Sequence, residues 1–201
     1  MKKKPAERQE PTRDRLLDAA RALFDQEGVD GLSMRRIADA VGITPMAIYK
    51  HYANKDALVD ALMLDGFAVW EARARAIKAR DPVAWLEKLL AAFLDFALNE
   101  PRRYEAAFLL PASRARRYPD DFAAGRSPVI SMAYEQIKTA QAQGLIDDTP
   151  AAEIALTVAA LGQGLVSMYR ADRFVGEREF RDAYRRTMRR CFFSFLTRPM
   201  E

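Results

Sequence analysis

The chain has 201 residues, of which 50% are hydrophobic and 30% charged, and it carries a net charge of +4. This composition supports a substantial core in one or two domains and describes an ordinary water-exposed protein with a mild basic bias. The only cysteine, Cys191, excludes an intrachain disulfide and suits the reducing cytoplasm, where we expect the protein. The start, MKKKPAERQE, lacks the apolar core of a signal peptide, and we expect no apolar run long enough to cross a membrane.

The first residues of the chain are polar and basic. Residues 1–11 contain two prolines and three consecutive lysines, and we predict a disordered basic arm. Contact of this arm with DNA and a merely solvated tail both remain open readings. Residues 1–55 hold 11 Lys and Arg against 8 Asp and Glu, whereas the remaining residues hold 21 against 20. The basic excess therefore lies in the first quarter of the chain.

The pattern of residues 12–55 predicts three helices in succession. The first runs from Thr12 to Glu27 and is ended by Gly28. Ser33 is placed to cap a second helix, because its hydroxyl can accept a backbone N–H at the helix start. Gly42 can leave that helix in a left-handed conformation, and Thr44 with Pro45 opens a third helix.

Two short helices joined by a tight turn, with a polar and aromatic second helix, are typical of a helix-turn-helix. In DNA-binding proteins the second helix of this motif enters the major groove. Ile48 and Tyr52 fall on the inward side, whereas the neighbouring polar side chains can reach phosphates or base edges. The predicted DNA-binding residues are Ser33, Arg35, Thr44, Pro45, Met46, Tyr49, Lys50, His51 and Lys55.

The segment from about Thr12 to Ala61 resembles the DNA-binding domain of TetR-family transcriptional regulators, through RLLDAARALFDQEGVDGLSMRRIADAVGIT and AIYKHYANKDALVDAL. The resemblance implies an all-α, dimeric regulator with a ligand-binding domain behind the DNA-binding domain. The predicted organisation is a helix-turn-helix domain over 12–56 and a helical ligand-binding and dimerisation domain over 57–201. Family members often carry polar residues early in the recognition helix, whereas this chain has Pro45, Met46 and Ala47 there, which leaves the operator sequence open.

Proline and glycine divide the remaining chain into further predicted helices. The predicted spans are 55–79, a helix opening at Asp81-Pro82, another opening at Glu100-Pro101, 127–144, 150–170 and 177–197. Residues 112–126 hold four arginines with Pro119 and Gly125, and we predict a mobile loop there. A homodimer interface is predicted through 150–170, which is rich in small residues, and the apolar stripe of 177–197. The alternative is that both stripes fill the core of their own chain.

An apolar binding pocket is predicted between the C-terminal helices, because aromatic and methionine side chains suit an adaptable cavity. Its ligand would be a mainly apolar small molecule. Fewer than half of the candidates are expected to line a cavity, since each taken alone is more typical of a core position. The candidates are Met63, Phe67, Trp70, Trp85, Leu89, Phe93, Phe96, Tyr104, Phe108, Met132 and Met168.

Enzymatic chemistry has no support in the sequence. The only histidine, His51, lies in the predicted DNA helix, and there is no phosphate-binding glycine loop, nucleophile elbow or metal-ligand spacing. We therefore predict no catalytic residues, no metal and no cofactor. We predict a TetR-like regulator that acts as a repressor and is released from its DNA operator by an apolar ligand. Its alternative is a helical interaction or ligand-binding protein whose helix-turn-helix is only structural.

Overall fold

The computed structural model describes residues 12–197, so the predicted arm over 1–11 lies outside the described residues. The described chain is all-α, as predicted, and its only extended pairing is a bridge between Ile146 and Leu196. Its helices are α1 (Thr12–Glu27), α2 (Met34–Val41), α3 (Pro45–Ile48), α4 (Lys55–Arg75), α5 (Pro82–Asn99), α6 (Pro101–Phe108), α7 (Asp120–Ala123), α8 (Pro128–Ala142), α9 (Ala151–Arg170) and α10 (Glu177–Phe193).

Two helix ends and one predicted loop differ from the sequence prediction. Helix α4 ends at Arg75, before the chain becomes extended at Asp81, whose carboxylate accepts the Ala84 N–H at 2.7 Å. The predicted loop over 112–126 contains the short helix α7. Helix α10 ends at Phe193, because backbone bonds between residues 145–147 and 195–197 draw the last described residues into extended pairing.

The described chain divides into two compact units, and the division falls inside α4. The first unit contains residues 12–67 and Arg102–Ala115, and the second contains Ala68–Pro101 and residues 116–197. The sequence-based boundary at residue 56 differs from this division, because α6 and the start of α4 pack with the helix-turn-helix. Gly66 permits that packing, since a Cβ there would lie 2.6 Å from the Arg103 carbonyl oxygen.

The first unit has one hydrophobic core under the helix-turn-helix. Arg21 of α1 also donates to both carboxylate oxygens of Asp65 on α4, at 2.8 and 3.1 Å. This bidentate pair joins two helices of the unit. The buried core residues are Leu16, Ala20, Phe24, Leu32, Ile37, Ala38, Ile48, Tyr52, Leu58, Val59, Leu62 and Ala106.

The second unit is a helical assembly in which α5 packs against α8, α9 and α10. Trp70 lies against the rings of Phe93 and Phe96, with centroids 5.4 and 5.7 Å away. Gly162 of α9 allows a close approach to α10, because a Cβ there would lie 3.3 Å from the Tyr184 hydroxyl oxygen. That hydroxyl donates to the Leu90 carbonyl of α5 at 3.2 Å, which joins all three helices.

Candidate nucleic-acid interface

The turn between α2 and α3 has the geometry that its sequence predicts. Gly42 adopts a left-handed φ of 77°, and the Ile43 N–H donates to the Ala38 carbonyl at 3.0 Å. Thr44 caps α3, since its hydroxyl oxygen accepts the Ala47 N–H at 3.3 Å and Pro45 occupies the first turn. The helix-turn-helix is therefore held by backbone and capping bonds that the local residues provide.

Ser33 occupies the N-cap position of α2, but its side chain makes no capping hydrogen bond. Its backbone carbonyl instead accepts the Ile37 N–H at 3.0 Å. The predicted role of the hydroxyl as a cap is therefore not observed. The hydroxyl, on a half-buried residue, is free of a capping bond.

The outward side of α3 presents large side chains to solvent. Met46 is 76% exposed and Tyr49 is 49% exposed, while Ile48 is fully buried and Tyr52 nearly so. Lys50 is also exposed, and His51 is half-buried. Tyr52 braces the motif from inside, because its hydroxyl donates to the Arg13 carbonyl and its ring lies under the Arg13 guanidinium. The inward and outward positions thus agree with the sequence prediction.

The two neighbouring arginines of α2 are in different environments. The Arg36 guanidinium donates to both oxygens of Glu27 at 2.6 and 2.7 Å. The hydrogen bond from Arg36 lowers the pKa of the Glu27 carboxyl, and the same bond raises the pKa of Arg36. Arg35 is 83% exposed, and its nearest carboxylate, Asp39, is 4.0 Å away. Arg35 is therefore the guanidinium that is available to a DNA phosphate.

We expect Arg35→Ala to weaken binding to operator and random duplex alike by about 3- to 10-fold, because one phosphate contact is lost. The slope of log affinity against log salt should fall by about one unit. Arg36→Ala is the matched control, since its side chain is held by Glu27. Fluorescence anisotropy across a salt series measures both, and an equal slope change in the two variants would contradict this assignment.

Lys55 opens α4 close to the helix-turn-helix. Its ammonium donates to the Val29 carbonyl at 3.0 Å, and the residue is exposed. Asn54 caps this helix by accepting the Ala57 N–H at 2.8 Å. A lysine ammonium has three donors, so the bond to Val29 leaves two for a phosphate.

Two supporting interactions have no signal in the local sequence. Arg15 of α1 donates to the Val41 carbonyl at 2.8 Å and so holds the last turn of α2. Asp60 of α4 is buried, with 7% exposure, and accepts hydrogen bonds from the Ser113 hydroxyl and the Arg114 N–H at 2.5 and 3.0 Å. We call this second arrangement the Asp60 clasp. The partners are 26 or more residues apart, which is why sequence reasoning missed them.

The eleven predicted ligand residues do not form one cluster within either unit. The first unit contains Met63, Phe67, Tyr104 and Phe108. The ring centroid of Phe108 is 5.2 Å from that of Phe67 and 5.2 Å from that of Tyr104. The second unit contains the other seven: Trp70, Trp85, Leu89, Phe93, Phe96, Met132 and Met168. Met168 is 49% exposed on α9, so it lies on the surface of the protomer and does not line its interior.

The described residues also bear on a metal site, a reactive thiol and the predicted pocket. Within residues 12–197, no group of three or more His, Cys, Asp or Glu side chains is placed to hold a metal ion. Burial raises the pKa of the half-buried Cys191 thiol, which disfavours the reactive thiolate. A surface groove between α5 and α10, floored by Leu94, Met188 and Phe192, contains none of the predicted ligand residues.

The fold and this exposed surface define a helix-turn-helix DNA-binding protein with a second helical unit. Two family models match the chain: bacterial regulatory proteins of the tetR family over residues 16–62, and the tetracyclin repressor-like C-terminal domain over residues 86–191. The second match alone spans more than half of the chain. The chain belongs to the TetR family of transcriptional regulators.

Individual relatives are consistent with this family. The uncharacterized HTH-type transcriptional regulator YobS of Bacillus subtilis (strain 168) is 30% identical over 99 residues, which cover 49% of this chain and 52% of YobS. The HTH-type transcriptional regulator UidR of Escherichia coli (strain K12) is 36% identical over 90 residues, which cover 45% of this chain and 41% of UidR. The matched stretch thus spans about half the length of these relatives.

A solved structure of a protein with unknown function from Rhodococcus sp. RHA1 shares the fold over nearly all of the chain. It superimposes with a TM-score of 0.77 at 24% identity and covers 96% of this chain and 100% of its own. At this identity the likeness concerns the fold alone.

Proposed function

We propose that this regulator is a homodimeric repressor that is released from a near-palindromic operator by a mainly apolar small molecule. The observation that carries the proposal is the outward face of α3, where Met46 and Tyr49 are 76% and 49% exposed. These side chains stand on the helix that a helix-turn-helix presents to a partner. In a helix-turn-helix that partner is the major groove.

Each exposed side chain has a proposed role on the operator. Thr44, Tyr49 and Lys55 bind phosphates of the DNA backbone and so position the motif on the duplex. Lys50 and Met46 reach the base edges. Because Pro45, Met46 and Ala47 replace the usual polar residues, base reading includes apolar contacts to thymine methyl groups. His51 and Ser33 lie at the edge of this surface.

The proposed dimer forms through α9, whose surface within one protomer is unusually apolar. By length and composition α9 could cross a membrane, which differs from the expectation from sequence. Only 22% of its most apolar stretch is buried within one protomer. Leu156 and Met168 are 41% and 49% exposed. Gly164 lies on the same face, and nothing lies within 4 Å of a Cβ added to it. The same face of a second copy would cover this surface, as we propose for a soluble regulator of the cytoplasm.

The predicted contribution of α10 to the dimer must be revised. Its apolar stripe of Phe180, Tyr184, Met188 and Phe192 is at most 2% exposed within one protomer. This burial supports, for α10, the alternative reading in which the stripe fills its own core. What α10 can offer a second copy is its flank of small residues, Ala183, Thr187, Cys191 and Ser194.

The proposed switch is a shift in population between two arrangements of the dimer. A ligand releases the operator only if it binds better to the arrangement whose two helix-turn-helix motifs are wrongly spaced. The aromatic cluster of Trp70, Phe93 and Phe96 supports an apolar ligand, since such rings can be repacked around one.

Binding to the DNA upstream of its own gene, measured by fluorescence anisotropy at two salt concentrations, tests the proposal. We expect tight, sequence-selective binding that weakens steeply with salt. Tyr49→Ala should weaken binding to all sequences alike, whereas Lys50→Ala should change sequence preference, because only Lys50 reaches base edges. Competition with randomised operators separates these effects, and identical behaviour of the two variants would contradict the assigned roles.

The same operator complex serves to find the ligand. Apolar compounds that release the DNA should also raise the melting temperature of the protein, because they bind the folded dimer. Transcription from the bound promoter should rise when they are added. Salt-independent or absent DNA binding would instead favour an interaction protein whose helix-turn-helix is structural.

A further inference from the structure

The last two turns of α10 carry a dense group of arginines that lie outside the proposed operator-binding surface. Arg185, Arg186, Arg189 and Arg190 are all exposed and are separated only by Thr187 and Met188. We call these four residues the arginine ridge. Phe193, 38% exposed, lies three residues after Arg190, with the Arg189 guanidinium 4.7 Å from the centre of its ring.

The arginine ridge has little counter-charge within the described part of the chain. Among the described residues, the only carboxylate within 4.0 Å of the ridge is Asp182, 3.9 Å from Arg185, while Glu87 and Asp95 line the same groove as Arg185 and Arg189. By contrast Arg181, one turn earlier on the same helix, is paired with Glu177 at 2.7 Å and with Asp95 at 3.4 Å. The ridge residues are three and four positions apart, where like charges on a helix destabilise it. An anionic partner would remove that repulsion.

The arginine ridge points away from the buried stripe of α10. At 100° per residue, its mean direction lies about 150° around α10 from the stripe of Phe180 to Phe192. The flank proposed to meet a second copy lies about 85° from the stripe in the other direction, so Arg190 borders that flank. Arg185, Arg186 and Arg189 lie farther from it and stay accessible when α9 is covered by a partner.

We propose that the arginine ridge is a second, sequence-independent binding surface for the phosphate backbone of double-stranded DNA. A guanidinium can donate two N–H groups to one phosphate, and a duplex presents a continuous row of phosphates that several neighbouring arginines can bind together. The pairs Arg185–Arg189 and Arg186–Arg190 are each separated by a rise of about 6 Å, comparable to the distance between neighbouring phosphates on a strand. The ridge would hold the protein on DNA beside or away from its operator.

The test uses full-length protein whose helix-turn-helix has been disabled by Arg35→Ala, Tyr49→Ala and Lys50→Ala, and a short duplex of random sequence. Replacing the four ridge arginines by glutamine should lower residual binding by about 10-fold or more. The salt slope should fall by about two to four units. Replacing the four ridge arginines by lysine should retain most of the salt slope, because the positive charge is kept.

The matched control removes the same charge elsewhere in the second unit, by glutamine at the exposed residues Arg75, Lys78, Arg80 and Arg173. Equal losses in the control and the ridge variant would overturn the proposal, and so would tighter binding of polyglutamate than of duplex. If the four-fold variant does not fold, Arg186→Gln with Arg190→Gln gives about half the slope change. With an intact helix-turn-helix, the ridge variant should keep operator selectivity, so failure here is distinguishable from failure of the proposed repressor function.

Discussion

Gly164→Glu is expected to separate the dimer and to lower operator affinity by more than about 100-fold, because linked half-sites gain about 10²- to 10⁴-fold from simultaneous binding. The protomer itself should tolerate the change, since nothing lies within 4 Å of the added Cβ. In the proposed dimer this position belongs to the covered face of α9, so each copy would bring an unpaired carboxylate into the interface.

Sedimentation velocity gives the state of association and anisotropy gives the affinity. Ala72→Glu is the control, because it places the same charge on an exposed position of another long helix. It should leave both measurements unchanged. A Gly164→Glu protein that remains dimeric and binds operator normally would show that α9 is not the interface.

Asp60→Ala is expected to lower the free energy of unfolding by about 2 to 4 kcal/mol, because it removes the acceptor of the Asp60 clasp. The Ser113 hydroxyl and the Arg114 N–H would lose a charged partner at a site that is 7% exposed. Ser113→Ala removes one of the bonds and should cost about 1 kcal/mol. The double variant should be less destabilised than the sum, since the two residues share an interaction. Denaturant unfolding measures all three, and full additivity would contradict a direct interaction.

The Asp60 clasp also predicts a dependence of stability on pH. Burial raises the pKa of Asp60. Hydrogen bonds from Ser113 and Arg114, together with the charge of Arg114, lower that pKa by a larger amount, so the net pKa lies below its ordinary value. A carboxyl whose pKa is lower in the folded state stabilises the protein above its unfolded pKa of about 3.9. That contribution is lost as the pH falls through the lower, folded pKa. The difference in stability between the native protein and Asp60→Asn should therefore shrink under acid.

The features that depend on neighbouring residues could be derived from the sequence by itself. The sequence determined the all-α class, the starts of most helices and the turn around Gly42. It also separated the buried Ile48 and Tyr52 from the exposed Met46 and Tyr49. Caps, proline restarts and helical periodicity act within about four residues, so they need no knowledge of the fold.

Only the tertiary structure decided which side chains find partners far along the chain. Glu27 holds Arg36 and leaves Arg35 exposed, although both arginines look alike in sequence. Periodicity gives both α9 and α10 an apolar stripe, yet the protomer covers that of α10 and leaves Leu156 and Met168 of α9 exposed. The clasp of Asp60 and the packing of α6 against Gly66 join residues about 40 or more positions apart. Such pairings depend on how the helices assemble, because periodicity states which face is apolar but not what covers it.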